Sequence, residues 1–324
     1  MAVFWNDLEF LKVHLSNLQK YLENVINLPS KNVNNSVTDL VRGNGKFVRA
    51  GLFYLFSEYG LQKDDERLMH GAASIELLHL ATLIHDDVID ESNKRRGVET
   101  VQVRNGNRNA IYAGDYLFTL AFEETLISAL DKSDIQLMNQ SMRLILKGEL
   151  YQYDDNYNLN ETVDEYLRII EGKTACLFAL ACRQGARLAK ADEVIVDLAE
   201  QIGRSIGLSY QIIDDILDYS GDSEKTNKPV LEDINEGVYS LPLLFALETN
   251  RLELEPILTK GKRLALEDLN NLKKIVIKSD GLSRARTVAN ELIDQANLDI
   301  NMLPDGEIKN YLRKLLNKLL KRDK

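Results

Sequence analysis

The chain has 324 residues, 44% hydrophobic and 28% charged, proportions that suit a packed core and exclude disordered, collagen-like and membrane-embedded proteins. Its 50 acidic and 40 basic side chains leave a formal net charge of −10, which argues against a general nucleic-acid binder. The two cysteines, Cys176 and Cys182, share one apolar stretch, so a disulfide framework is excluded and both read as small core residues of a cytoplasmic protein.

From the N-terminus, Leu8, Leu11, Leu15, Leu18 and Leu22 alternate spacings of three and four, which predicts an amphipathic helix ending near Pro29. The polar, glycine-bearing stretches 29–36, 43–45, 91–109 and 220–238 are expected to be loops. Between them the pattern predicts helices over 46–59, 67–90, 110–130, 134–154, 163–171, 173–190, 192–219 and 239–249, with more to the end. Strand-like alternation is almost absent and the chain holds 5 prolines, so the expected class is all-α. Neither a linker nor an internal repeat divides it, which predicts a single domain over 1–324. Its apolar runs fall short of the roughly 20 residues that span a bilayer, so the expected protein is soluble. The stretches Ala72–Ile84 and Ile206–Leu217 are apolar or small on nearly every face and should run through the core.

Both of these core helices end in the same constellation, Asp86-Asp87-Val88-Ile89-Asp90 and Asp214-Asp215-Ile216-Leu217-Asp218. Residues four apart share a helix face, so Asp86 points with Asp90 and Asp214 with Asp218, while Asp87 and Asp215 sit on the adjoining flank. Like charges at the negative end of a helix dipole repel, so something cationic must compensate. Oxygen-only ligands favour hard divalent cations, and Mg²⁺ binds through a few carboxylates, waters and substrate phosphates. A single such motif reads as an acidic, solvated helix end; two copies, each after an apolar helix, point to a diphosphate-type ligand. Lys46 and Arg49 lie one turn apart just after the Gly43-Asn44-Gly45 turn, Arg95 and Arg96 follow the first motif, Lys225 and Lys228 follow the second, and with Lys173 they could supply phosphate contacts.

The segments Gly45-Lys46-x-x-Arg49, Glu76-Leu77-Leu78-His79, the first aspartate motif running on to Arg95-Arg96-Gly97, Gly148-Glu149-x-x-Gln152, Lys173-Thr174-Ala175, Gln211-x-x-Asp214-Asp215-x-x-Asp218 and Lys228-Pro229 follow one another between Gly43 and Pro242. In this order they resemble the trans-isoprenyl diphosphate synthases, in particular the catalytic subunits of bacterial long-chain hexaprenyl and heptaprenyl diphosphate synthases. The resemblance implies a helical bundle around a deep central cavity, and head-to-tail addition of isopentenyl diphosphate to an allylic diphosphate. It implies that Asp86, Asp87, Asp90, Asp214, Asp215 and Asp218 form the Mg²⁺ sites, with about three ions per active site when substrate is bound. By the same resemblance, Arg95, Lys173 and Lys228 contact the allylic diphosphate, and Lys46, Arg49, His79 and Arg96 hold isopentenyl diphosphate. Lys173, Thr174 and Gln211 would serve the reaction centre. A homodimer, or a heterodimer with a small non-catalytic subunit, is implied as well.

The sequence departs from the family pattern at Phe47 and Ala50, where Arg and Pro are usual, at Asn227 and Leu231, where glycines are usual, and at Val238, where lysine is common. Ala81 and Thr82, five and four residues before Asp86, are small where short-chain relatives carry aromatics, which predicts a long product of about six or seven isoprene units, about C30 to C35, along a helix of about 36 Å. A shorter farnesyl or geranylgeranyl product is the nearest alternative. A class I terpene cyclase is disfavoured by Asp218, Lys46 and Arg49, and a non-catalytic partner subunit by the two whole aspartate motifs. A His-Asp phosphohydrolase, suggested by His85-Asp86, needs further histidine ligands, whereas His14 and His70 read as structural. The basic amphipathic tail 309–324 reads as a packed helix, with transient membrane contact during product release as the alternative.

Overall fold

The computed structural model describes residues 5, 8–43, 45–220 and 231–320. These fall into two compact units, one of 1–139 with 180–200 and the other of 140–179 with 201–324.

In the first unit, α1 (Glu9–Val25) buries the leucine stripe Leu11, Leu15, Leu18 and Leu22. The expected loop after Pro29 is instead a helix, α2 (Lys31–Arg42). Its polar composition conceals Val33, Val37, Leu40 and Val41, which recur at helical spacing and are buried. The short α3 (Val48–Ser57) is buried along almost its whole length. The long α4 (Asp65–Ile89) begins where the Asp64 side chain accepts a hydrogen bond from Arg67 N at 3.1 Å, a carboxylate cap on the positive end of the helix. It buries residues on nearly every face from Leu68 to Ile84, as its composition requires.

The stretch 91–109 is also more ordered than expected. Strands β1 (Lys94–Arg95) and β2 (Val98–Glu99) pair antiparallel across Arg96 and Gly97, whose φ values of 53° and 84° give the two left-handed positions of a tight hairpin. A single turn of helix, α5 (Val101–Asn105), leads into α6 (Asn107–Ser128), which packs along α4. Gly114 of α6 makes room for the His85 ring of α4, and His85 Nε2 lies 3.1 Å from the carbonyl oxygen of Ile111. His70 is likewise structural, held by Glu124 at 2.6 Å, and His14 stacks on Tyr54.

Helix α7 (Lys132–Asp155) precedes α8 (Val163–Ile170), which starts in a Thr162–Glu165 capping box. A π-helical turn, Glu171–Ala175, then joins α8 to α9 (Cys176–Leu188) where the sequence suggests a break between two helices. In the second unit Gly172 and Gly148 meet at this turn: a Cβ on Gly172 would come within 2.9 Å of the Gly148 Cα. Helix α10 (Glu193–Ser220) carries the second aspartate motif in its last two turns. Among the described residues the remaining α-helices are α11 (Glu232–Asn235), α12 (Leu241–Leu258), α13 (Leu266–Lys278), α14 (Gly281–Met302) and α15 (Glu307–Leu320). The basic tail packs as a helix over its described residues: Tyr311, Leu312, Leu315 and Leu316 are buried. Lys309 Nζ caps the end of α14 by donating to the carbonyls of Asn301 and Leu303.

Both cysteines are buried thiols outside any disulfide. Among the described residues, no helix is long and apolar enough to cross a membrane.

Close backbone approach is a constraint within the first unit, where a Cβ on Gly185 of α9 would run into the carbonyl oxygen of Phe53 in α3. Gly185→Ala is expected to cost about 1–3 kcal/mol through overpacking. Chemical denaturation checks this, and an unchanged unfolding midpoint would show that the helices can part here freely.

Candidate active site

The first aspartate motif lies at the end of α4. Asp86 is partly buried and Asp90 exposed, while Asp87 between them is 1% exposed. Asp87 Oδ1 accepts from Arg95 Nε at 2.8 Å. Burial raises the Asp87 carboxyl above the usual range, and the Arg95 charge opposes that shift. Ser92 steadies the hairpin that delivers Arg95, because its carbonyl accepts from Thr100 Oγ1 at 2.7 Å and from Gln102 Nε2 at 2.8 Å. Five and four residues before Asp86, Ala81 is fully buried and Thr82 Oγ1 is satisfied by the His79 carbonyl at 2.9 Å.

The second motif repeats this division within the other unit. Asp214 and Asp218 are exposed, and Asp215 is 7% exposed. Asp215 accepts from Tyr166 Oη at 2.6 Å and from Gln211 Nε2 at 2.9 Å. Burial pushes its carboxyl up to about 8 against these two donors. Gln211 Oε1 in turn accepts from Thr174 Oγ1 at 2.8 Å. Beside Thr174 in the π-helical turn, Lys173 Nζ donates to Gln152 Oε1 at 2.8 Å and lies 2.9 Å from Glu149 Oε2. The segment Gly148-Glu149-x-x-Gln152 therefore supplies both the close crossing and the partners of Lys173.

The basic residues of the first unit gather around the glycine turn. Gly45 lets Arg96 lie against it, since a Cβ there would stand 2.8 Å from Arg96 Nη1. Arg49 Nη1 is 3.2 Å from His79 Nε2. Arginine can only donate, so His79 accepts through Nε2 and is neutral. Burial and the charges of Arg49, Arg96 and Arg95 hold the imidazole well below its ordinary value. Under this cluster the buried Glu76 accepts from the backbone N–H of Ala50 at 3.1 Å, a bond that a proline at this position could not donate. Lys46 is exposed at the edge, its carbonyl taken by Trp5 Nε1 at 2.7 Å.

Among the described residues no three His, Cys, Asp or Glu side chains gather closely enough to hold a metal by themselves. Each motif does present two oxygen donors one helical turn apart, the donor type and number that fit Mg²⁺ completed by waters and phosphate oxygens.

The model of the polyprenyl synthetase family matches residues 30–276. The chain belongs to this family. It is 32% identical to the heptaprenyl diphosphate synthase component 2 of Geobacillus stearothermophilus, with 97% of each chain covered. Among solved structures, a geranylgeranyl pyrophosphate synthase from Lactobacillus brevis superposes with a TM-score of 0.95 at 44% identity, covering 99% of this chain and 100% of that one. The heptaprenyl diphosphate synthase of Staphylococcus aureus follows with a TM-score of 0.89 at 32% identity, over 97% of this chain and 99% of that one.

Within this polyprenyl synthetase, Arg49 meets His79, Arg95 meets Asp87, and Thr174, Gln211 and Asp215 join in one chain of hydrogen bonds. Lys228, with Lys225, Asn227 and Pro229, lies outside the described residues. Leu231 is described, and its φ of 60° and ψ of 45° are left-handed, a conformation that glycine adopts without strain. Tyr166 was missed by sequence reasoning because nothing in its local pattern separates it from a packed aromatic. Glu76 stood within a recognised segment, and a charged residue in a run of apolar ones was the available signal.

Because folding keeps His79 neutral while the unfolded chain takes up its proton below about pH 6.5, this residue costs stability as pH falls. His79→Asn is expected to lessen the loss between pH 7 and pH 5 by up to about 2 kcal/mol. Urea unfolding of both proteins at the two pH values checks this, and parallel losses would contradict it.

Proposed function

We propose that the chain is a Mg²⁺-dependent trans-polyprenyl diphosphate synthase that adds isopentenyl diphosphate head to tail to an allylic diphosphate. The observation that carries this reading is the division of each aspartate motif into two outward carboxylates and one buried, hydrogen-bonded carboxylate. Asp86 and Asp90, with Asp87 behind them, would hold Mg²⁺ at the first motif, and Asp214 and Asp218, with Asp215 behind them, would hold it at the second, about three ions in all. When bound, Mg²⁺ supplies charge stabilisation to the leaving diphosphate.

The chain's own residues hold and orient the reactants. Arg95, Lys173 and Lys228 pair with oxygens of the allylic diphosphate. Lys46, Arg49 and Arg96 bind isopentenyl diphosphate, and neutral His79 fixes the direction of the Arg49 guanidinium. Thr174 and Gln211 turn oxygen lone pairs toward the allylic carbon as its bond to the diphosphate oxygen breaks. The isopentenyl alkene then forms the new carbon–carbon bond, and the resulting cation loses a proton to the released diphosphate.

The product in this reading is long, about six or seven isoprene units, on the ground that Ala81 and Thr82 are small where a chain anchored at Asp86 would pass along α4, a helix of about 36 Å. The similarity to the Lactobacillus brevis geranylgeranyl pyrophosphate synthase favours a second reading, a C20 product. The Geobacillus relative is component 2 of its synthase, which supports assembly with a second subunit, small and non-catalytic in this reading, and a homodimer is the alternative. One domain over 1–324, a cytoplasmic location and transient membrane contact during product release complete the proposal.

Incubation with isopentenyl and farnesyl diphosphates and Mg²⁺ should yield a longer diphosphate. Excess EDTA, or Asp86→Ala or Asp214→Ala, should lower condensation by about two to three orders of magnitude. Full turnover in EDTA would sink the metal assignment. Ala81→Phe should shorten the product to about C15–C20 if the chain runs down α4, and sizing by mass spectrometry decides this. An unchanged distribution in a folded, active variant would show that the chain takes another path.

A further inference from the structure

We propose that Tyr166 is a positioning residue: by holding Asp215 it fixes the amide of Gln211 with its oxygen, rather than its nitrogen, beside Thr174. The inference rests on the prenyl-transfer reading above and concerns the second unit alone.

The geometry is a relay of three bonds. Tyr166 Oη donates to Asp215 Oδ2 at 2.6 Å, Gln211 Nε2 donates to Asp215 Oδ1 at 2.9 Å, and Thr174 Oγ1 donates to Gln211 Oε1 at 2.8 Å. Tyr166 is 4% exposed and Asp215 7%, so bulk water does not compete for the bond between them. Both Asp215 oxygens are taken as acceptors, one by the Tyr166 hydroxyl and the other by the Gln211 amide. The Gln211 amide must therefore turn its NH₂ toward Asp215, since the opposite rotamer would set a carbonyl oxygen against a carboxylate oxygen. This leaves Gln211 Oε1 facing Thr174, whose hydroxyl hydrogen is already committed to it. The exposed remainder of the pair consists of oxygen lone pairs. Such a pair attracts the positive charge that develops at an allylic carbon, whereas a flipped amide would present N–H groups and repel it.

Tyr166 matters because Gln211 alone engages one carboxylate oxygen and leaves the group free to rotate about its own bond. With the second oxygen pinned, the carboxylate plane is set from α8. Thr174 lies eight residues beyond Tyr166 in the π-helical turn, so one relay ties α8, that turn and α10 into a single arrangement. Sites of this kind lose transition-state stabilisation when positioning is relaxed, while substrate binding is spared.

The test compares Tyr166→Phe and Asp215→Asn with the wild-type enzyme in steady-state condensation assays at varied isopentenyl diphosphate, farnesyl diphosphate and Mg²⁺. Both variants should lower kcat about tenfold to a hundredfold while both KM values and the Mg²⁺ concentration for half-activation stay within about twofold. An unchanged kcat in folded Tyr166→Phe overturns the proposal. So does a tenfold rise in the Mg²⁺ requirement with kcat retained, which would mark Asp215 as an ion ligand instead. If Tyr166→Phe does not fold, Asp215→Asn, which keeps the side-chain volume, decides by the same criteria. A wild-type enzyme that forms no longer diphosphate overturns the prenyl-transfer reading and the relay together; condensation by the wild type beside an unaffected variant overturns the relay alone.

Discussion

Three carboxylates crowded into five residues at the negative end of a helix cannot all be treated alike, and this constraint organises both aspartate motifs. In each motif the fold removes the middle carboxylate from water and answers it with donors. Asp87 is met by the Arg95 guanidinium, and Asp215 by a phenol and a side-chain amide. A buried carboxylate without such partners would cost several kcal/mol. The outer pair of each motif is thereby left one helical turn apart and toward solvent, where cations and phosphate oxygens can complete it.

The basic cluster follows the same logic with the sign reversed. Guanidinium groups gathered at the glycine turn would repel one another, and the fold supplies compensation in two forms. Glu76 is buried beneath them, and the attraction of Arg96 and Arg49 opposes the upward shift that burial imposes on its carboxyl. His79 stays neutral, so it adds an acceptor without adding charge. The substitution of Ala50 for the usual proline fits here, since its N–H is used by Glu76.

Much of the fold was legible because helical periodicity is written in neighbouring residues. The leucine stripe of α1 and the apolar run of α4 needed no tertiary information, and the Asp-x-x-x-Asp spacing alone put Asp86 with Asp90. The reading failed where polarity hid a short buried stripe, as in α2, and where a turn was made by left-handed residues, as at Arg96 and Gly97. It also failed at residues 171–175, since a π-helical turn has no composition of its own and arises here where Gly172 and Gly148 allow close approach. Leu231 adopts a glycine-like conformation that its side chain gives no reason to expect.

By itself, then, the sequence determined an all-α chain with two acidic helix ends and a set of cations spaced to serve phosphates, because spacing along a helix is a local property. Only the tertiary structure decided which carboxylate of each triplet is withdrawn, which nitrogen of His79 accepts, and which way the Gln211 amide faces. Those choices depend on partners far along the chain: Tyr166 stands 49 residues from Asp215, Thr174 37 from Gln211 and Arg49 30 from His79. Hydrogen bonds are short-ranged and directional, so pairings of this kind exist only once packing has brought the partners within about 3 Å.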